Sequence, residues 1–216
     1  MLALEAAVLA LVVFFFVFTL RLFVVLKSGA KHKPGSKGSV SVLVVAGSGG
    51  HTTEVLRLLS GLSAAYSPRY YVLAQSDRMS EEKIHAFENS REHMLATDQF
   101  HLFRVPRSRE VHQSWSSSVM SSLNALSYSI PLLFRLQPDV VLCNGPGTCV
   151  PLSLAGVLLG VLGVKRVVLV YVESICRVET LSLTGRILYP FSDYFFVQWA
   201  SLRDKYTRAI FLGRIV

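Results

Sequence analysis

Glycine-rich and polar residues follow three apolar runs of the sequence, and these residues could do chemistry. The first run leads into Gly47-Ser48-Gly49-Gly50-His51, the second into Asn144-Gly145-Pro146-Gly147-Thr148, and the third into the charged loop 173–179. If the three runs are parallel strands, ligands are expected beyond their carboxyl ends. The sequence therefore predicts a site built from the three loops.

The 47–51 loop is suited to a phosphate or a diphosphate. Glycine lets the backbone turn tightly and approach a ligand, and the helical pattern from Thr52 would offer unpaired amides and a positive dipole end. Thr52 replaces the third glycine of the dinucleotide fingerprint G-x-G-x-x-G, and no lysine follows the glycines as in a P-loop. A plain tight turn is the alternative interpretation.

Two residues are candidates for proton transfer. His51 closes the first loop, where it could act as a general base or donate to a phosphate, although a lone histidine is more often structural. Glu173 is the second candidate; it could equally be a solvated loop charge, like Arg177 and Glu179. Arg109 and Arg177 could contact phosphate or a partner, with solvated loop charge as the alternative. The absence of C-x-x-C and H-E-x-x-H patterns predicts that no metal is bound, and we expect no cofactor.

Alternating strands and helices must position these loops. Short β-branched runs such as 40–46 are typical of buried parallel strands, and apolar residues at spacings of three or four are typical of helices. The pattern predicts a Rossmann-like, doubly wound parallel sheet of the α/β class. Ser80 and Ser114 are expected helix caps. The expected strands are 40–46, 70–74, 100–105, 139–142, 166–172, 194–197 and 209–212, and the expected helices 52–65, 81–90, 114–136, 151–162 and 180–189.

An apolar segment at 6–26, broken mainly by Thr19 and Arg21, precedes the sheet pattern. Its length approaches the ~20 residues of a membrane-spanning helix. A cleaved signal peptide is disfavoured because Glu5 is the only early charge, a core helix because a Gly/Ser/Pro linker follows, and an interfacial helix because no polar face is present. We predict a transmembrane anchor at 1–27, a basic flexible linker at 28–38 and a domain at 39–216.

The charges around the anchor predict its orientation. Arg21, Lys27, Lys31, Lys33 and Lys37 follow the apolar segment, and no lysine or arginine precedes it. Cytoplasmic flanks carry the excess of positive residues. We therefore expect the domain to face the cytosol.

The amino-acid composition narrows the classes of protein to which this chain could belong. The chain has 216 residues, of which 51% are hydrophobic, and this suits one domain with an appendage. Its net charge of +8 admits nucleic acid, but no nucleic-acid-binding motif accompanies it. Cys143, Cys149 and Cys176 are odd in number, which favours a reducing compartment and small buried side chains.

The loops also lie in longer recognisable segments. VAGSGGHTTEVLRLL at 45–59 resembles the opening of GT-B glycosyltransferases that act on lipid-diphosphate sugars. PRSREVHQSW at 106–115, LCNGPGTCVP at 142–151, YVESICRVETLSLTGRILY at 171–189 and the ending FLGRIV are similar to the membrane-anchoring subunits of the eukaryotic UDP-N-acetylglucosamine transferase. That family serves dolichol-linked oligosaccharide synthesis.

The resemblance implies the acceptor-side, N-terminal half of a GT-B fold. A soluble UDP-N-acetylglucosamine-binding subunit would supply the other half in a heterodimer, and the chain alone would be inactive. The complex would add the second N-acetylglucosamine to dolichol-diphosphate-N-acetylglucosamine, on the cytosolic face of the endoplasmic reticulum membrane, for protein N-glycosylation. The implied partner-docking residues are Leu212, Gly213, Arg214, Ile215 and Val216.

The same resemblance implies roles for the loops. His51 corresponds to a proposed base that activates the acceptor hydroxyl in an inverting displacement, with Glu173 as the alternative base. The implied acceptor-diphosphate residues are Gly47, Ser48, Gly49, Gly50, Thr52, Asn144, Gly145, Gly147 and Thr148.

Two other classes of protein stay open. A pure membrane adaptor would recruit its partner and contribute no catalytic side chain. A nucleotide-binding oxidoreductase would need the complete glycine fingerprint, and Thr52 argues against it, although Asp77 lies not far from the position expected for the acidic residue.

Overall fold

The computed structural model describes residues 2–28, 38–92, 99–110 and 113–216. A seven-stranded sheet has the order β3-β2-β1-β4-β5-β6-β7, and every neighbouring pair is parallel. The strands are β1 Val42–Val45, β2 Arg69–Ala74, β3 Phe100–Val105, β4 Val140–Asn144, β5 Val168–Val172, β6 Tyr194–Val197 and β7 Ala209–Phe211. The helices are α1 Leu2–Ser28, α2 Gly50–Ser60, α3 Arg78–Glu92, α4 Trp115–Leu136, α5 Cys149–Val161, α6 Leu183–Leu188 and α7 Ala200–Lys205.

This architecture confirms the predicted doubly wound sheet. The strand order reverses between β1 and β4, and helices cover both faces. On one face α2 and α3 bury Val55, Leu59 and Ile84. On the other, α4 and α5 bury Leu133 and Leu152. The strands read as continuous apolar runs because the sheet is covered on both faces.

Two local predictions need correction. Ser80 does not cap α3, which begins at Arg78; the cap is Asp77, whose Oδ1 accepts a hydrogen bond from the Ser80 amide at 3.1 Å. The short helix α7 was not predicted, because six residues carry too little periodicity. The predicted cap at Ser114 is confirmed, since its side chain accepts from the Ser117 amide.

Helix α1 is long and apolar enough to be a membrane span. Its candidate span Leu4–Lys27 has 24 residues and a mean hydropathy of 2.8. The last turns pack on the domain, where Val25 is buried against Gly160. The predicted linker 28–38 lies almost entirely outside the described residues, and the domain boundaries stay predictions.

A closed cluster of polar side chains joins β2 to α3. The Arg69 and Glu88 side chains are fully buried and form a paired contact, with Nε–Oε1 at 2.8 Å and Nη2–Oε2 at 2.5 Å. The Tyr71 hydroxyl also donates to Glu88. Burial, followed by the nearby Glu88 carboxylate, raises the pKa of Tyr71 and keeps the hydroxyl protonated as a donor.

Candidate functional site

The three predicted loops meet at one edge of the sheet. β1 pairs with β4 and β4 pairs with β5, so their carboxyl ends are adjacent. A cleft of about 390 Å³ opens there. It is lined by Gly50, His51, Glu54, Gly145, Glu173, Ser174, Cys176, Arg177 and Ser182.

A chain of hydrogen bonds crosses this cleft. His51 Nδ1 lies 3.1 Å from Asn144 Oδ1. Asn144 Nδ2 donates to Glu54 Oε2 at 2.9 Å and to the Val172 carbonyl at 3.4 Å. Glu54 in turn accepts from the Ser174 hydroxyl at 2.8 Å. The cluster therefore connects α2 with the ends of β4 and β5.

The partners of Asn144 determine which nitrogen of the neutral His51 ring carries the proton. Glu54 Oε2 and the Val172 carbonyl are acceptors, so the amide nitrogen of Asn144 must face them and its oxygen must face His51. Nδ1 then carries the proton of the neutral ring, and Nε2 keeps a free lone pair. The His51 side chain is 35% exposed. This arrangement suits a general base.

Glu54 was not among the residues predicted for the site. Its Oε2 lies 3.9 Å from His51 Nδ1, so the carboxylate faces the positive charge that the ring acquires on taking a proton. The sequence feature that could have identified Glu54 is its position three residues after His51, because residues spaced by three are neighbours on a helix surface.

Close packing between the first two loops explains two glycines. Gly145 has φ +76°, and a Cβ there would lie 2.4 Å from His51 Nδ1. A Cβ on Gly47 would lie 2.6 Å from Pro146 Cγ. Any larger residue at 145 would therefore displace the histidine ring.

The start of α2 offers a site for an anion. No side chain among the described residues caps this helix, so the amides of its first turn stay available to a ligand. Gly49 adopts φ +68° just before the helix. Lys83 Nζ lies 3.5 Å from the Gly49 carbonyl and adds positive charge nearby. The sequence did not indicate Lys83, since it lies on α3.

Glu173 is buried and its carboxylate is largely engaged. It accepts hydrogen bonds from the Ser182 amide at 2.9 Å, the Ser182 hydroxyl at 3.1 Å and the Ser174 amide at 3.2 Å. Burial raises the pKa of Glu173, against the lowering effect of the hydrogen bonds from Ser182. These contacts hold loop 174–182 in place, so the geometry favours His51 over Glu173 as the base.

Three residues predicted to bind diphosphate have buried side chains. The Thr52 hydroxyl bonds to the Gly47 carbonyl and lies 2.6 Å from Ser80 Oγ. Thr148 is buried at the start of α5, and the Asn144 side chain is fully engaged as described. These side chains shape the loops, and the diphosphate-binding role of the three residues stays a prediction. Ser48, Gly49, Gly50 and Gly147 are exposed.

The predicted basic residues occupy different positions. Arg177 is exposed and lines the cleft. Arg109 lies outside it, with its guanidinium 4.5 Å from the centre of the Trp115 ring. Cys143 and Cys149 are buried as predicted, whereas Cys176 is exposed on the cleft, so the expectation of a buried side chain was wrong there.

The predicted docking residues lie beside the third loop. Arg214 stacks on Trp199, 4.4 Å from the ring centre, and Trp199 donates to the Ile175 carbonyl at 2.8 Å. Leu212 is 66% exposed and Arg214 is also exposed, whereas Val216 is 7% exposed. The Val216 side chain packs in the domain core, and the docking role of the five residues stays a prediction.

No group of three or more His, Cys, Asp or Glu residues close enough to hold a metal occurs in the described part of the chain. The expectation of a metal-free site stays a prediction.

Relatives with curated names share most of this sequence. A profile of the family described as "Oligosaccharide biosynthesis protein Alg14 like" matches residues 42–215. The Rattus norvegicus and Homo sapiens proteins named "UDP-N-acetylglucosamine transferase subunit ALG14" are 56% and 54% identical to it; the alignments cover 91% and 100% of this chain, and 91% and 98% of those proteins. The Schizosaccharomyces pombe protein of the same name is 46% identical over 85% of this chain and 86% of its own.

Solved structures with low sequence identity share the fold. MurG of Acinetobacter baumannii aligns with a TM-score of 0.55 and 15% identity, over 75% of this chain and 42% of MurG. A putative UDP-N-acetylglucosamine 2-epimerase of Listeria monocytogenes aligns with a TM-score of 0.58 and 13% identity, over 78% of this chain and 42% of the epimerase. The chain thus spans less than half the length of each structure.

Proposed function

Because this chain belongs to the Alg14-like family of oligosaccharide biosynthesis proteins, we propose that it is the membrane-anchored, acceptor-binding subunit of a two-subunit UDP-N-acetylglucosamine transferase. Its curated relatives carry the name of a subunit of that transferase. The candidate span α1 supports the anchoring role.

The proposed reaction adds the second N-acetylglucosamine to N-acetylglucosamine-diphosphate-dolichol. The 4-hydroxyl of the acceptor sugar attacks the anomeric carbon of UDP-N-acetylglucosamine, the bond to UDP breaks, and UDP leaves with the bonding electrons. His51 Nε2 takes the hydroxyl proton, Asn144 holds the ring, and Glu54 balances the charge that develops on it. The first-turn amides of α2, with Arg177, bind the acceptor diphosphate.

A second subunit completes this site. The curated relatives are named as one subunit of a transferase, which supports a second subunit, and the proposed donor-binding half belongs to that soluble partner. The exposed Leu212 and Arg214 form the docking end. This end lies beside the cleft, because Arg214 stacks on Trp199 and Trp199 donates a hydrogen bond to the Ile175 carbonyl of the third loop. Docking there would place the donor sugar against the acceptor hydroxyl.

The proposed location is the endoplasmic reticulum membrane with the domain in the cytosol. Arg21 and Lys27 lie at the domain end of α1, in agreement with the distribution of positive charge at cytoplasmic flanks. Glycosylation sites introduced in an extension fused before Met1 and in the domain test this orientation in microsomes. Modification of the domain would contradict it.

The observation that carries the proposal is the His51–Asn144–Glu54 chain, open at Nε2, beside an uncapped helix start. The test measures transfer to a dolichol-diphosphate-N-acetylglucosamine analogue by the chain alone, by the soluble subunit alone and by the mixture. We expect transfer only in the mixture. Transfer by the chain alone would refute the split site, and full activity of assembled His51→Ala and Glu54→Gln complexes would favour the pure adaptor.

A further inference from the structure

An apolar groove of about 630 Å³ adjoins the cleft. Helix α4 forms one wall through Trp115 and Leu123, α5 forms the floor through Val150 and Leu154, and α6 forms the other wall through Ile187. The volume lies within the roughly 300–1,000 Å³ of small-molecule sites. Size and lining therefore suit an apolar ligand.

The walls of the groove keep large apolar side chains in contact with water. Trp115 is 66%, Leu123 54% and Ile187 39% exposed. A cluster of exposed apolar residues on a folded domain marks a site for a protein, a ligand or a membrane. A ligand that covered these exposed side chains would remove their apolar surface from water, and this would stabilise the complex.

The groove is continuous with the polar cleft. Both are lined by Gly145, Arg177 and Ser182. Arg177 stands at the junction, and Arg109, held over Trp115, adds a second positive charge on the groove side. An occupant of both spaces would be polar and anionic at one end and apolar at the other.

We propose that the groove binds the first isoprene units of a polyprenyl-diphosphate acceptor, with the diphosphate at the Arg177 junction and the sugar in the cleft. This assignment rests on the proposed function, which it deepens by locating the lipid. The alternative occupant, an amphipathic helix of a partner protein, would satisfy the apolar walls but would need acidic side chains to meet Arg177 at the junction and Arg109 on the groove side, where a diphosphate already carries the charge.

The position of the membrane anchor agrees with a lipid occupant. Helix α5, the floor of the groove, packs at its other end against α1, where Val25 contacts Gly160. The groove and the candidate membrane span therefore share one supporting helix. A lipid chain that leaves the groove along α5 would run towards the anchor.

The kinetic test compares two acceptors in the complex of the full chain with its soluble subunit. One acceptor carries a C20 isoprenoid chain on N-acetylglucosamine diphosphate, and the other carries a methyl group. For Leu123→Gln and Ile187→Gln we expect KM for the isoprenoid acceptor to rise about tenfold, which corresponds to part of the burial of one large apolar side chain. Both variants should use the methyl acceptor like the wild type.

Met120→Gln is the matched control. Met120 also lies on α4 and is 67% exposed, but it does not line the groove. We expect wild-type kinetics with both acceptors. Equal losses on the two acceptors, or reduced pull-down of the soluble subunit by the groove variants, would assign the groove to a protein partner and overturn the proposal.

A binding measurement separates this proposal from the proposed function. Titration calorimetry of the full chain in detergent would compare geranylgeranyl diphosphate with inorganic diphosphate. We expect tighter binding of geranylgeranyl diphosphate, and a loss of about tenfold in Leu123→Gln for this ligand alone. Such binding without any transfer by the wild-type complex would reject only the proposed reaction, whereas equal affinities for both ligands would overturn the groove assignment.

Discussion

Two hydrogen-bonded clusters are each centred on a glutamate, and both glutamates lie on helices that cover the same face of the sheet. One cluster is closed to solvent, and the other is open to a cleft. Glu88 on α3 is fully buried and binds Arg69 through both oxygens, with Tyr71 as a third partner. Glu54 on α2 binds Asn144 and Ser174 at the edge of a cleft, and the adjacent His51 ring keeps Nε2 free. A closed cluster contributes to the fold, whereas an open one retains hydrogen-bonding capacity for a ligand.

The closed cluster should show the largest effect on stability. Arg69→Met leaves the Glu88 carboxylate buried without its cation, and we expect unfolding to become easier by about 3–5 kcal/mol. Urea unfolding followed by circular dichroism measures the change. A loss under about 1 kcal/mol would mean that water reaches Glu88 and that the cluster is not closed.

The open cluster should affect catalysis instead. His51→Ala removes the proposed base, so turnover of the assembled complex should fall by about 10²–10⁴-fold. The free energy of unfolding should change by only about 1 kcal/mol, because the ring is 35% exposed and its removal takes away one hydrogen bond, the one to Asn144. Destabilisation similar to that of Arg69→Met would remove the distinction between the two clusters.

The glycine beneath the histidine ring provides a smaller perturbation. Gly145→Ala would place a Cβ 2.4 Å from His51 Nδ1 at a positive φ, so the ring must move. A displacement of about 1 Å can lower turnover roughly 100-fold. Gly61→Ala is the control, because its new Cβ would meet only the Leu58 carbonyl at 3.7 Å and its φ of −83° is ordinary. Equal activity of the two variants would show that His51 needs no fixed position.

The charge of Glu54 should have a smaller effect still. Glu54→Gln keeps the size of the side chain but removes the negative charge 3.9 Å from His51 Nδ1. We expect kcat to fall about tenfold, at the low end of electrostatic contributions to catalysis, with KM for the acceptor nearly unchanged. Glu82→Gln, an exposed change on α3, is the control. A rise in KM alone would indicate that Glu54 shapes acceptor binding.

Glu173 provides the smallest effect, visible in the pH dependence of stability. Burial raises its pKa in the folded protein above the ordinary value of 4.5, so the folded state holds the proton more tightly than the unfolded chain. This contribution to the unfolding free energy is complete below the ordinary value and is lost as pH rises through the raised one. Urea unfolding across that interval should show a decline that Glu173→Gln reduces. Identical slopes would mean that the carboxyl titrates normally.

Much of the site could be predicted from the chain itself. The loops at 47–51, 144–148 and 173–179 were recognisable because each follows an apolar run, and parallel strands bring such ends together. Glu54 was missed because a glutamate within an amphipathic helix looks like part of its solvated face. The burial of Val216 was also beyond sequence reasoning, because it depends on packing against distant residues.

The sequence by itself determined the apolar N-terminal helix, the alternation of strands and helices, and the position of His51 at the start of α2. These features depend on local composition and periodicity, which neighbouring residues fix. Only the tertiary structure decided that Asn144 turns its amide nitrogen to Glu54 and its oxygen to His51, and that Glu173 is enclosed by Ser182. His51 and Asn144, which meet in one of these contacts, lie 93 positions apart in the chain. The role of a polar side chain follows from which donors and acceptors surround it, and those neighbours exist only once the chain has folded.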